Sequence, residues 1–482
     1  MFRSVVGACA PGMIAAVVTL GVGCGGEVAA GVTGSDGGGR SADASLAVNE
    51  AGPSGPFFGD DAATGYPDGA LEGPMVECPT TPTTLSGTVF DPAGKNPVYD
   101  AVVYIPNAPV AALTTGTNAC VCPEVVGDYV TAVVTNAMGA FTLSQVPSGK
   151  NIPLVIQAGK WRRQVTVPQI ASCQNTAIPP ELTRLPRNRS EGDIPQMAVL
   201  TGACDGLACF MRRVGLDASE FTGPDGGGRM HVYRGAGPGP DLAGGGGGTA
   251  GDCSGASGPC PLWSTKAELE RYDTVLLGCE CGANDTTKPD KTPMHDWLGE
   301  GGVLLAIHNQ DTWLRNGPAD FQSVATWSTT DALGVGPFQV NTMYPLGATF
   351  SKWLAATGAL APDASLPLDP TRVGTSVSAL SMNVEPLVTD VSAGNAKYMS
   401  MATPLGGDAL GISGKYCGLA VISDDHVGAG ASPSNAPVPA SCIAGDLSPD
   451  EAALEFMLFR TPESCVTPPV QVLAPPVDQR AM

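Results

Sequence analysis

Two imidazoles stand where α/β proteins often carry out chemistry. The stretch "GGVLLAIHNQ" (301–310) reads as a buried strand running into His308, and "VISDDHV" (421–427) as a later strand ending in Asp424 and His426. A third run, "TVLLGCE", ends in Glu280, and a fourth, "DIPQMAVLTG", is followed by Asp205. The chain has only 4 histidines, so two of them closing strands of one sheet is a feature to explain. Ligands in open α/β sheets gather outside the carboxyl ends of the strands. There His308, His426, Asp424 and Glu280 could hold a divalent metal or share acid–base work on a polar ligand such as a sugar. The competing reading is that each histidine donates to a backbone carbonyl and tightens the loop after its strand. A nucleophile, a base orienter and an oxyanion donor cannot be identified together, so the catalytic set is incomplete. His231, inside the strand "RMHVYRG", and His295, on a helix beside Asp296, read as structural or exposed. In "TGACDG" (201–206) Asp205 would repel an anion, so it reads as a helix cap.

The cysteines form the second reactive set. Fifteen are present, which fits an oxidising compartment. With Cys9 removed in a leader and Cys24 acylated, an odd number remains, so at least one is unpaired. Cys253 with Cys260, inside a Gly-rich insert, and Cys417 with Cys442, flanking a loop, are the favoured pairs. The close pairs "CVC" (120–122) and "CEC" (279–281) raise structural zinc. Zinc knuckles usually put at least two residues between ligands, so disulfides are favoured.

Composition bounds the rest. The 482 residues exceed one ordinary core, and 63 Gly and 43 Pro require much loop and linker. A net charge of -21 argues against a nucleic-acid partner, because phosphate binding depends on clustered basic residues. Residues 1–24 read as a signal peptide: Arg3 supplies the positive start, Val5–Leu20 the apolar run, and "LGVGC" ending at Cys24 resembles a lipobox. In that match Gly21 stands where Leu is usual, and cleavage after "EVAA" is the alternative; both routes export the chain. Residues 25–77 lack hydrophobic periodicity and are expected to form a flexible Gly/Ala/Asp-rich stalk.

Residues 78–185 hold short β-branched runs separated by the turn signals "PAG", "NAMG" and "PSG", which predicts an antiparallel β-sandwich. "LSGTVFDPAG", "AVVYIPN" and "TNAMGAFTLSQVPSG" resemble the carboxypeptidase regulatory-like (transthyretin-like) domain. That resemblance implies a spacer or interaction module without catalysis. "GKWRRQ" (159–164) reads as a strand with one cationic face, and a sugar- or partner-binding patch at Trp161–Arg163 is the lesser alternative.

From 193 to 466 strands alternate with helices, predicting a flavodoxin-like three-layer α/β domain with a mostly parallel sheet. "CDGLACFMRRVGL" puts Leu207, Phe210, Met211 and Val214 on one helical face. "STKAELERYD", "KTPMHDWLGEG", 346–360 and 447–463 read as further helices, the last capped by Ser448 with Glu451 completing a capping box. The Gly-rich insert at 236–262 lacks G-K-[ST] and is not a phosphate loop. Residues 467–482 form a Pro-rich tail.

This half resembles the class I glutamine amidotransferase-like superfamily, and within it the trehalose-utilisation (ThuA-like) branch, through "YDTVLLGCE", "GEGGVLLAIHN" and "VISDDHV". Amidotransferases carry a nucleophilic cysteine where this chain has His308, and imidazole cannot form the thioester that a thiolate supplies. Cys279 and Cys281 end a different strand and do not replace it. As a whole the chain resembles a bacterial lipoprotein of the cell envelope. The expectation is a lipid-anchored or secreted extracytoplasmic protein, held at the outer membrane of a Gram-negative cell, that binds a glycan or protein and needs no cofactor. The alternative is a ThuA-like hydrolase or sugar-modifying enzyme, one that could use a divalent metal at the four-residue edge.

Overall fold

A computed structural model describes residues 75–117, 129–236, 239–328, 334–369, 384–405, 416–428 and 436–460, with backbone alone at 377–378. The signal peptide with Cys24, nearly all of the stalk, "CVC" at 120–122 and the tail lie outside these residues. The described chain is an α/β protein of mixed and antiparallel sheets with a smaller share of helix.

The first region contributes β1 (Thr84–Thr88), β2 (Val102–Pro106), β3 (Tyr129–Val134), β4 (Ala140–Ser144), β5 (Gly149–Ala158), β6 (Trp161–Ile170) and β7 (Asn175–Ala177). They form a sheet ordered β4-β1-β7 and an antiparallel sheet ordered β3-β2-β5-β6. β7 runs parallel to β1, so the smaller sheet is mixed. Inward residues of both sheets, among them Leu85, Phe141, Val103 and Ile156, belong to one hydrophobic cluster. The "NAMG" turn closes through Gly139, whose φ of +67° and distance of 2.6 Å from its Cβ position to the Val89 carbonyl leave room only for glycine. Cys78–Cys173 ties the start of this region to its end.

The second region introduces β8 (Met197–Thr201), α1 (Leu207–Val214), β9 (Met230–Arg234), β10 (Thr274–Leu277), α2 (Thr292–Gly299), β11 (Val303–Ile307), α3 (Pro345–Ala356), β12 (Val384–Asp390), β13 (Asn395–Thr403), β14 (Gly418–Ser423) and α4 (Pro449–Leu458). Five strands lie parallel in the order β9-β8-β10-β11-β14, which by appearance in the chain is 2-1-3-4-5. β13 and β12 then continue the sheet antiparallel. "VEPLVTD", which forms β12, was not anticipated as a strand, because Pro386 and its acidic ends hide the alternation. "STKAELERYD" yields only one helical turn, Lys266–Leu269, since Tyr272 turns inward to meet Tyr233 and His231.

Alternation along the parallel strands divides the core into two. Met197, Val199, Leu305, Ile307 and Val421 join the cluster that contains α1, α3 and α4. Ala198, Leu200, Leu304, Ala306 and Ile422 join another that contains Trp297 and Leu298 of α2. Helices therefore cover both faces, which is why these strands are apolar throughout. In α1 the predicted face of Leu207, Phe210, Met211 and Val214 is buried, and in α4 Glu451 accepts from the Ser448 backbone N–H at 2.9 Å, completing the capping box.

The two regions share one core. Tyr99 stacks on Phe456 of α4 at 4.0 Å, Trp161 meets Phe459 edge-on, and the Trp353 indole donates to the Pro97 carbonyl at 2.6 Å. This corrects the surface-patch alternative at Trp161–Arg163: Trp161 and Arg162 are buried, and Arg162 is held by Asp193 at 2.6 Å. Cys253 and Cys260 are bonded, but Cys442 pairs with Cys209 and not with Cys417. The reason is that Val438–Pro439 pairs with Leu242–Ala243 and packs on α1, carrying Cys442 to that helix while Cys417, bonded elsewhere, lies directly before β14. Four disulfides among the described residues are compatible with an extracytoplasmic protein, and among those residues no helix is long and apolar enough to cross a membrane.

At the shared core two carboxyl groups meet. Burial raises Asp91 to about 6 from an ordinary 3.8, and burial beside Asp91 pushes Glu455 upward as well. Between pH 3.8 and about 6 the unfolded chain has lost the Asp91 proton while the folded chain keeps it, so this contribution to stability is complete below the window and lost across it. Denaturant titrations should show stability falling as pH rises through that window, and Asp91→Asn should flatten the profile; an unaltered slope in the variant would contradict the assignment.

Candidate functional site

The site lies at the carboxyl edge of the parallel sheet, at the point where strand order reverses between β8 and β10. Such a point is where the connections leave in opposite directions and open a crevice. Here the two strand ends run close together: the Cβ position of Gly202 lies 2.0 Å from the Cys279 carbonyl, so no larger residue fits. The Cys204 N–H donates to the same carbonyl at 3.3 Å.

Asp205 follows this crossing and is buried. Its Oδ2 accepts from the Cys279 N–H at 2.5 Å, and its Oδ1 accepts from the Val427 N–H at 3.0 Å and faces His426 Nδ1 at 3.2 Å. The expected helix-cap role is thus corrected. Gly206 stands at the cap of α1 with no side-chain cap bond, because the Asp205 carboxylate is drawn across to the ends of two other strands.

The structure brings His308 and His426 together, with ring centroids 4.4 Å apart. His308 opens a 3-10 turn directly after β11 and has φ of +51°, a left-handed conformation rare for a side-chain-bearing residue. That kink turns its ring toward Cys279, whose Sγ is 3.5 Å from His308 Nδ1. His426 is the more open of the pair, with its side chain 17% exposed against 8% for the His308 residue.

Asp424 and Glu280 do not join them. The Lys397 ammonium holds Asp424 at 3.0 Å, and the Lys288 ammonium holds Glu280 at 2.5 Å, all four groups being buried. Glu280 also accepts from the Ala236 N–H at 2.6 Å and from Gln310 at 3.1 Å, which anchors the start of the Gly-rich insert. Burial pulls the Lys288 amine downward, while Glu280 opposes it. Removing one member of such a pair strands the other charge, so these carboxylates serve as framework. His231 bridges Tyr272 at 2.9 Å and the Gly226 carbonyl at 3.1 Å; His295 sits between Asp296 at 2.9 Å and Asp320 at 3.0 Å.

The sequence reading set aside one member of the site, Cys279, and missed the bridging role of another, Asp205. The odd cysteine count was the available signal for the first: Cys279 is the free cysteine among the described residues. Burial, aided by the charge of Asp205, pushes its thiol up to about 12. It is therefore protonated at neutral pH and shielded from solvent, unlike an activated nucleophile. Cys204 Sγ, Cys279 Sγ and a ring nitrogen of His426 lie within 4.8 Å of one another. Cys204 is engaged in a disulfide with Cys281, which closes the crevice between β8 and β10. Imidazoles, sulfurs and a backing carboxylate form a donor set that suits hydrogen-bonding ligands or a thiolate-preferring cation.

No family model, curated protein or solved structure matches the chain.

Alkylation followed by peptide mapping checks the state of the thiol. Native protein at pH 8 should leave Cys279 unmodified under conditions that label it fully after unfolding in denaturant. Rapid labelling of the native chain would mean that the sulfur is accessible and ionised.

Proposed function

We propose that the protein is an exported cell-envelope protein, tethered to the outer membrane through lipid on Cys24, that binds a glycan or protein partner without catalysis at the carboxyl edge of its parallel sheet. The observation that carries this reading is the meeting of His308 and His426, 4.4 Å apart, at an edge whose free thiol is shielded. Imidazoles there offer both donors and acceptors to a hydroxyl-rich or peptide ligand. Among the described residues the edge supplies no exposed nucleophile. Disulfides support the extracytoplasmic address.

The strand order 2-1-3-4-5, with helices on both faces, supports a flavodoxin-like three-layer domain and is compatible with the amidotransferase-like resemblance. The pair of sheets before it supports a regulatory-like β-sandwich, one whose core is continuous with that domain. A second reading, a ThuA-like hydrolase or sugar-modifying enzyme, is favoured by one observation: Asp205 backs His426 at 3.2 Å, as a carboxylate does behind a working imidazole. Its machinery would comprise His308, His426 and Asp205, since Glu280 and Asp424 are held by lysines.

A glycan-array and pull-down screen with the purified chain tests the binding reading. The expected ligand loses at least about tenfold affinity in His308→Ala and in His426→Ala, with melting temperature unchanged. Undiminished binding in both variants would remove the site, and turnover of the ligand by the wild type would favour the enzyme. Separately, Cys24→Ser should move the protein from the membrane fraction to the soluble one; retention in the membrane would exclude the lipid tether.

A further inference from the structure

We propose that this edge is a redox-gated site for a thiolate-preferring cation of the zinc(II) class, with Cys204, Cys279 and His426 as ligands and the Cys204–Cys281 disulfide as the gate. The inference rests on the carboxyl edge being the functional site and names an ion that it takes.

Geometry supplies the first argument. Three potential ligand atoms already lie within 4.8 Å of one another, and His308 Nδ1 stands beside one of them, 3.5 Å from Cys279 Sγ. Ligand atoms on a tetrahedral zinc stand roughly 3.5 Å apart, so the cluster needs to contract by about an ångström once the disulfide no longer holds Cys204. The orientation of His426 supplies the second. Asp205 engages Nδ1 at 3.2 Å, so a metal on this ring would take Nε2, the carboxylate–histidine arrangement that fixes tautomer and basicity behind metal ligands. The third is the state of the cysteines: in a chain whose other described cysteines are oxidised, Cys279 alone is kept as a thiol, and it lies beside an oxidised pair.

The gate is more open than the two disulfides nearest it in the fold. Cys281 is exposed and has φ of +62°, a left-handed conformation that an opened loop could relax and one that Cys173 of the distant Cys78–Cys173 bond shares at +60°, whereas Cys253, Cys260 and Cys209 are buried. While the bond is closed, the Cys204 sulfur has no thiol proton to lose and cannot bind as a thiolate. A dithiol donor would deliver two electrons and two protons and be oxidised to its own disulfide, leaving thiols at Cys204 and Cys281. Zinc(II) then forms bonds to the Cys204 and Cys279 sulfurs, and their two protons pass to solvent. The cation supplies the positive charge that the buried Cys279 needs in order to ionise.

The test uses the full chain and zinc alone. A phosphine reductant is titrated until disulfide mapping finds Cys204–Cys281 open with Cys209–Cys442 and Cys253–Cys260 closed. Zinc content is then measured after desalting, and cobalt(II) is used in parallel for its thiolate charge-transfer absorption. About one zinc per chain is expected after opening and under roughly a tenth of that before it. Affinity should fall at least about tenfold in Cys279→Ser and in His426→Gln, the latter serving alone if the former does not fold, while the Cys253→Ala/Cys260→Ala double variant keeps its uptake. Stoichiometric zinc with the gate closed, no uptake after opening, a Cys204–Cys279 disulfide in place of two thiols, or undiminished uptake in His426→Gln would overturn the proposal. Zinc uptake alongside glycan or protein binding that ignores His308→Ala would sink the binding-edge reading alone; intact ligand binding with no zinc uptake would sink the metal site alone.

Discussion

The Asp205 carboxylate is the interaction on which the site depends. It is buried, it leaves β8 at the point where the sheet changes direction, and it accepts from backbone amides at the ends of β10 and β14. A carboxylate taken out of water without partners is strongly disfavoured, so those amides and the His426 ring must stay where they are for the charge to remain. The same bonds place Cys279 and His426 at fixed positions. Asp205 therefore converts a strand terminus into a rigid corner, and the rings and sulfurs are arranged around it.

Two further buried ion pairs frame that corner. Glu280 with Lys288 fastens the segment after β10 to the start of the Gly-rich insert, and Asp424 with Lys397 fastens the end of β14 to β13. Because each charge is compensated, neither carboxylate projects as an available ligand. The wider scaffold is also cross-braced: α4 packs against the parallel sheet on one side and against Tyr99 and Trp161 of the first region on the other. The β-rich region thus acts as part of the support for the α/β core and not as a detached spacer.

Much of this was legible in the sequence, and the rest was hidden for definable reasons. The parallel strands showed themselves because strands covered on both faces are continuous apolar runs, and α1 and the capping box of α4 followed from local spacing. The rim was readable because β11 and β14 end in His308 and His426 and the sheet rule brings strand ends together. β12 was concealed by Pro386 and by acidic residues at its ends, whose partners lie elsewhere in the chain. The roles of Glu280 and Asp424 could not be read, since Lys288 and Lys397 reach them through tertiary packing that no local pattern encodes. The Cys209–Cys442 bond, spanning 233 residues, was likewise inaccessible to spacing arguments. Asp205 looked like a helix cap because helix starts favour aspartate; the competing amides came from Cys279 and Val427.

The central claim is that distant strands bring His308 and His426 into one corner. With only 4 histidines in the chain, selective isotope labelling of histidine resolves every ring. Aromatic nuclear Overhauser spectra of the folded protein should contain a direct cross-peak between the ring protons of His308 and His426, lost when either is replaced. Two well-resolved rings with strong contacts to different neighbours and none to each other would contradict the account.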